Sequence, residues 1–197
     1  HIFPLPDAFR GKYRGEYCAE EYAGEVQKQI KNIQSKGRNL GAFIIEPIIS
    51  CGGQIELPEG FLAKAYQMVW EAGGICISDE VQTGCGRMGK TFWGFQLHNV
   101  VPDIVTIGKP LGNGHPIAAV ACTQKVADKF ANGMEYFNTF GGNPVSCAIA
   151  TEVLRVVKRE KLQENALVVG EFLKSELKSL SKEFPIIGAV RGQGLFL

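Results

Sequence analysis

Two apolar runs in this chain end on groups that can do chemistry. Ile75-Cys76-Ile77-Ser78 stops on the carboxylate of Asp79 and continues as Glu80-Val81-Gln82-Thr83-Gly84. Ile104-Val105-Thr106-Ile107 stops at Gly108 and the amine of Lys109, followed by Pro110-Leu111-Gly112-Asn113-Gly114-His115-Pro116. In open α/β sheets, ligands bind outside the carboxyl ends of parallel strands. Parallel, adjacent strands here bring one acid and one amine to a single rim.

That pair suits pyridoxal 5'-phosphate, whose aldehyde needs an amine and whose ring nitrogen needs a carboxylate. Lys109 would form the Schiff base, for which an amine must be partly deprotonated. On position alone, the commoner reading is a surface lysine at a strand exit. Asp79 would keep the ring nitrogen protonated; read alone, it is as readily a magnesium ligand or a helix cap. Val81 can pack on the ring face and Gln82 can bond the phenolic oxygen. A P-loop is excluded, because Lys109 precedes proline rather than Ser or Thr, and the sequence shows no helix following.

Gly84-Cys85-Gly86-Arg87-Met88-Gly89 matches the dinucleotide fingerprint by letter only. It begins five residues past the strand and leads into Lys90-Thr91-Phe92-Trp93, which has no helical stripe, so a tight glycine-rich loop is expected. Phe137-Asn138-Thr139-Phe140-Gly141-Gly142-Asn143-Pro144 places a hydroxyl and glycines before a helix. It suits phosphate binding, helix capping by Asn143, or both.

These segments need a scaffold, and the periodicities supply one. Tyr22, Val26, Ile30 and Ile33 make a helix over 21–34, which Gly37 ends. Ala42–Glu46 reads as a strand. Pro58 opens a helix with Phe61, Leu62, Ala65, Met68 and Val69 on one face, and Ile75–Asp79 completes a strand–helix–strand unit. Such a crossover is parallel and right-handed. Ile104–Ile107 is a third strand and Ile117–Cys122 a fourth, antiparallel because the connection is too short for a helical crossover. Helices follow over 144–158 and 161–180, then strands over 186–190 and 195–197. Residues 1–17 form an irregular entry. The fold class expected is α/β, a mostly parallel sheet flanked by helices. Residues 1–160 would be part of a large domain and 161–197 the start of a small C-terminal one.

Composition excludes several function classes. The 197 residues are 45% hydrophobic and 21% charged, and the net charge of +1 argues against nucleic acid or an anionic membrane. No apolar stretch approaches the roughly 18 residues of a membrane span. Six scattered cysteines and three isolated histidines show no metal-ligand spacing, and reduced thiols are expected. The first residue is not Met and the last three are apolar, so the chain reads as an internal piece of a longer protein. Any targeting segment would lie upstream, leaving a cytoplasmic or a mitochondrial compartment.

Taken together, "DEVQTGCGRMG", "DIVTIGKPLGNG" and "YFNTFGGNPVSCA" resemble the class III aminotransferase family, of the fold-type I pyridoxal-phosphate enzymes, in order and spacing. The resemblance runs from about Ala42 to Leu197. It implies Lys109 as the Schiff-base lysine, Asp79 at the ring nitrogen and Gln82 at the phenolic oxygen. It also implies Thr139 at the cofactor phosphate of the other subunit, hence a homodimer with composite sites. The family's upstream phosphate loop and downstream substrate arginine are not in this chain, which is expected to bind cofactor poorly alone. Cys51, within Ser50-Cys51-Gly52-Gly53-Gln54, stands where many family transaminases carry a switch glutamate. That segment is similar to the phospho-lyase branch, which eliminates phosphate from amino-alcohol phosphates. A true transaminase and a non-catalytic fragment that pairs with a full-length subunit are the alternatives.

Overall fold

The computed structural model describes residues 1–197. Helix α1 (Cys18–Gln34) is followed by strand β1 (Ala42–Ile45), a small hairpin of β2 (Ile48–Ile49) and β3 (Ile55–Glu56), helix α2 (Phe61–Glu71) and strand β4 (Ile75–Asp79). After a long connection come β5 (Ile104–Ile107), β6 (Ala119–Cys122), and helices α3 (Gln124–Phe130), α4 (Pro144–Arg159) and α5 (Leu162–Glu183). The sheet order is β1-β4-β5-β6. β1, β4 and β5 run parallel, and β6 is antiparallel to β5. The architecture is α/β, a mostly parallel sheet flanked by helices, as the periodicities require. No helix is long and apolar enough to cross a membrane.

The core lies where α1 and α2 meet β1 and β4. Tyr22, Phe61, Leu62, Ala65, Tyr66, Val69 and Cys76 are fully buried there. The helical stripes aim these side chains at one another, and burying each large apolar one stabilises the fold by about 1.5–3 kcal/mol. Asp103 locks the next strand to this core: its Oδ2 accepts from the Cys76 backbone N–H at 2.8 Å and from Trp70 Nε1 at 2.7 Å. All six cysteines are unpaired, and burial pushes the Cys76 thiol up to about 12 and the Cys85 thiol to about 11. The far side of the sheet is different. All four residues of β6 are exposed, Val120 by 67%.

The C-terminal segment departs from expectation. Residues 186–190 and 195–197 are not strands; Ile186 is 93% exposed, and one isolated bridge joins Gln193 to Phe196. A short apolar run makes a strand only where another strand offers its backbone, and none runs beside this segment. The tail is instead tied down by polar contacts. Gly192 N–H and Gln193 Nε2 donate to the Glu56 carboxylate at 3.0 and 2.5 Å, and Leu195 N–H donates to Arg87 O at 3.1 Å.

The long β4–β5 connection contains no α-helix and is organised by Glu80, which is fully buried. Its carboxylate accepts from Thr83 Oγ1 at 2.6 Å, from Ser78 Oγ at 3.3 Å, and from the N–H groups of Gly94 and Phe95, both at 2.8 Å. The last two open a 3-10 turn, Gly94–His98. At the end of that turn, half-buried His98 donates from Nε2 to Pro47 O at 2.9 Å, tying the connection to the exit of β1.

Glu80→Ala strips four donors of their shared acceptor and leaves a cavity, so it should cost about 3–5 kcal/mol. A denaturant midpoint for the complete protein no lower than wild type would contradict this. Burial, partly offset by the Pro47 carbonyl and by Glu56, holds His98 below its ordinary value of 6.5. Protonation therefore favours the unfolded chain: the contribution is present above pH 6.5 and lost as pH falls below it. Stability should decline between about pH 7 and pH 5, and His98→Gln, which keeps a donor but cannot titrate, should flatten that part of the decline.

Candidate active site

Three strand ends meet on one rim. β1 leads into Glu46, β4 ends on Asp79, and β5 leads into Gly108-Lys109. The register pairs Ile45 with Ser78 and Asp79 with Thr106, so the carboxyl ends lie side by side. Lys109 opens a single 3-10 turn, Lys109–Leu111, closed by Leu111 N–H on Gly108 O at 2.7 Å. The residue pattern does not announce this turn. It is one turn and does not make a P-loop, which needs a helix.

Val81 stands between the two chemical groups. A Cβ built on Gly108 would lie 3.4 Å from both Val81 methyl carbons, so the valine side chain rests against the strand end that carries the lysine. Asp79 Oδ1 accepts from the Val81 N–H at 3.0 Å, which fixes the turn and leaves the other carboxylate oxygen without a hydrogen bond. Lys109 is exposed in this chain and its amine forms no hydrogen bond or ion pair. Its place between Gly108 and Pro110 does not confine it within these residues. A proline and a glycine restrict the backbone, but covering a four-carbon side chain needs other chain packed over it.

Gln82 is the rim residue with the richest contacts. Its Nε2 lies 2.6 Å from Ser50 Oγ and 3.7 Å from Cys51 Sγ. Ser50 in turn is bonded to Glu46 through its N–H, at 3.0 Å, and through its hydroxyl. Glu46 and Ser50 are functional candidates that motif reasoning missed. The available signal was the same one that marked Asp79, a charged residue directly after an apolar strand.

The glycine-rich loop after Gln82 is a packing device. Cys85, Gly86 and Gly89 all have positive φ (62°, 84° and 69°). A Cβ on Gly86 would lie 3.1 Å from Gln163 Cβ, and one on Gly89 would lie 2.6 Å from the backbone of Leu167. The glycines let the loop approach α5 closely, and Gln163 Nε2 donates to Gly89 O at 3.0 Å. This is the tight loop expected from the sequence.

Thr139 is not brought to the rim by any hydrogen bond within this chain. It lies in an exposed loop, four residues before Asn143, whose Oδ1 caps α4 by accepting from Val145 N–H at 3.0 Å and Ser146 N–H at 3.2 Å. His115, from the loop after Lys109, reaches the same helix end, its Nε2 lying 2.8 Å from Ser146 Oγ.

The donor set fits pyridoxal phosphate in part. An unpaired amine and a carboxylate with a free oxygen sit at neighbouring strand ends, with a valine between them and an amide beside them. These are the groups the aldehyde and the ring of the cofactor require.

Known proteins share this sequence pattern and this fold. The aminotransferase class-III family model matches residues 1–197. A Drosophila melanogaster protein named alanine–glyoxylate aminotransferase 2-like is 47% identical over all of the chain, which covers 41% of that protein. A Caenorhabditis elegans protein named ethanolamine-phosphate phospho-lyase homolog 1 is 41% identical, again over all of the chain and 45% of the relative. Among solved structures, a phospholyase from Arthrobacter in complex with phosphoethanolamine superposes with a TM-score of 0.87 at 40% identity, covering 90% of this chain and 42% of that one. The chain thus spans less than half the length of these relatives. With its rim, its sheet and its full-length match to the family model, it belongs to the class III aminotransferases, a family of pyridoxal-phosphate enzymes.

Proposed function

We propose that the complete protein uses pyridoxal phosphate to act on a primary amine, and that it is a phospho-lyase eliminating phosphate from an amino-alcohol phosphate. The observation that carries this reading is the unpaired amine of Lys109 beside the half-free carboxylate of Asp79 on one rim. Bound there, the cofactor would supply an aldehyde for amines and a ring that accepts the electron pair of a deprotonated carbon. Asp79 holds the proton on the ring nitrogen, Val81 lies against the ring, and Gln82 bonds the phenolic oxygen. Thr139 binds the cofactor phosphate of a second copy, making a homodimer with shared sites. Residues 1–160 belong to the large domain and 161–197 begin the small one.

In this reading Lys109 would hold the cofactor's aldehyde until a substrate amine arrives, and its Nζ would then take the proton from the amine-bearing carbon. Phosphate leaves the neighbouring carbon with the electron pair of its C–O bond. Addition of water releases the remainder as an aldehyde and ammonia. Cys51, in place of the family's switch glutamate, supports a substrate without a second carboxylate. So does the likeness to proteins named for ethanolamine phosphate and phosphoethanolamine. The Drosophila relative's name favours the second reading, a transaminase, in which a keto acid would accept the amino group.

One assay separates the two. With ethanolamine phosphate and no keto acid, the complete protein should release phosphate and aldehyde; strict dependence on an amino acceptor would sink the lyase reading. Substitutions test the site itself. Lys109→Ala should fold, lose the cofactor's lysine-dependent visible band and lose turnover by at least about 10³-fold. Asp79→Ala should keep the band while turnover falls, because the unprotonated ring is a poor electron sink. A Lys109→Ala protein retaining both colour and activity would remove the assignment.

A further inference from the structure

Gln82 is held by residues that belong to none of the three motifs. Ser50 is buried, and both of its donors turn to Glu46: the N–H to Oε2 at 3.0 Å and the hydroxyl to Oε1. A carboxylate at neutral pH only accepts, so the single hydroxyl proton of Ser50 is committed to Glu46. Ser50 Oγ then has only lone pairs to offer Gln82. The end of the amide facing it, 2.6 Å away, must be the NH₂. Cys51 Sγ lies against the same nitrogen at 3.7 Å. The shape of an amide does not reveal its orientation, but the proton count of its neighbours does. Gln82 Oε1 is the end left without a hydrogen bond.

We propose that Glu46 and Ser50 are positioning residues that lock Gln82 with its carbonyl oxygen, an acceptor, toward the cofactor's phenolic oxygen. This deepens the proposed function and rests on it, since it takes Lys109 and Gln82 to face pyridoxal phosphate. An acceptor opposite the phenolic oxygen stabilises that oxygen with its proton, whereas a donor stabilises the phenolate. The lock therefore keeps the bound cofactor protonated to higher pH than an unrestrained glutamine would. The acid at the end of β1 thus sets the protonation state of a group held by β4 and β5, with Ser50 as the intermediary.

The test is a pH titration of the visible band in the complete holoprotein. Glu46→Gln is nearly isosteric and adds an N–H that can donate to Ser50 Oγ. The Ser50 hydroxyl is then free to donate to Gln82 Oε1, and the amide turns over to present its NH₂. The band's titration midpoint should fall by roughly one pH unit. Ser50→Ala, which removes the lock without reversing it, should shift the midpoint in the same direction by less. Neither substitution should shift it in a Gln82→Ala background. An unchanged or raised midpoint in Glu46→Gln overturns the proposal, as does a shift that persists without Gln82. If Ser50→Ala fails to fold, the isosteric Glu46→Gln alone decides. A visible band that survives Lys109→Ala refutes the proposed function itself, a result distinct from either of these.

Discussion

Everything on the rim depends on the parallel pairing of β4 with β5. Parallel neighbours end on the same side, so residues distant in sequence arrive together without any direct attraction between them. Asp79 and Lys109 are brought close by the ladder that sets Asp79 opposite Thr106, and they form no ion pair with each other. That matters chemically. An amine and an acid that neutralised one another would be poor ligands for a third party. The backbone does the positioning, and the side chains stay free.

The pairing is itself secured by two polar anchors. Asp103 pins the start of β5 to β4 and α2, and Glu80 gathers the long connection around a single carboxylate. Both are acidic residues satisfied by several donors, N–H groups and, for Glu80, two hydroxyls, an arrangement that is stable only when every partner is present. Asp79 and Glu80 are consecutive residues with opposite assignments. One looks into the core and is fully satisfied; the other faces the rim with an oxygen to spare.

The strands that carry Asp79 and Lys109 were legible because an apolar run that stops on a charge announces a strand end. The antiparallel turn to β6 was legible from connection length alone. The hairpin of β2 and β3 was not, since two residues per strand carry no period. Nor was α3, which is short and has no buried face. The strands expected near the C-terminus failed because a pattern of side chains says nothing about whether a neighbouring backbone is there to receive them. The bond from Gln82 to Ser50 spans 32 residues of sequence, so only the folded chain reveals it.

The exposure of β6 bears on how firmly Lys109 is held. β5 has one secure neighbour in β4, and on its other side a strand with neither face covered. Hydrogen-bonded layers open from the side with least burial, so the sheet's resistance to local opening declines from β1 toward β6. A strand edge with bare backbone groups is also a template for pairing with other chains. The lysine thus sits one strand in from the loosest part of the sheet. Whatever comes to cover β6 stiffens the ground on which that amine stands, and so acts on the site without touching it.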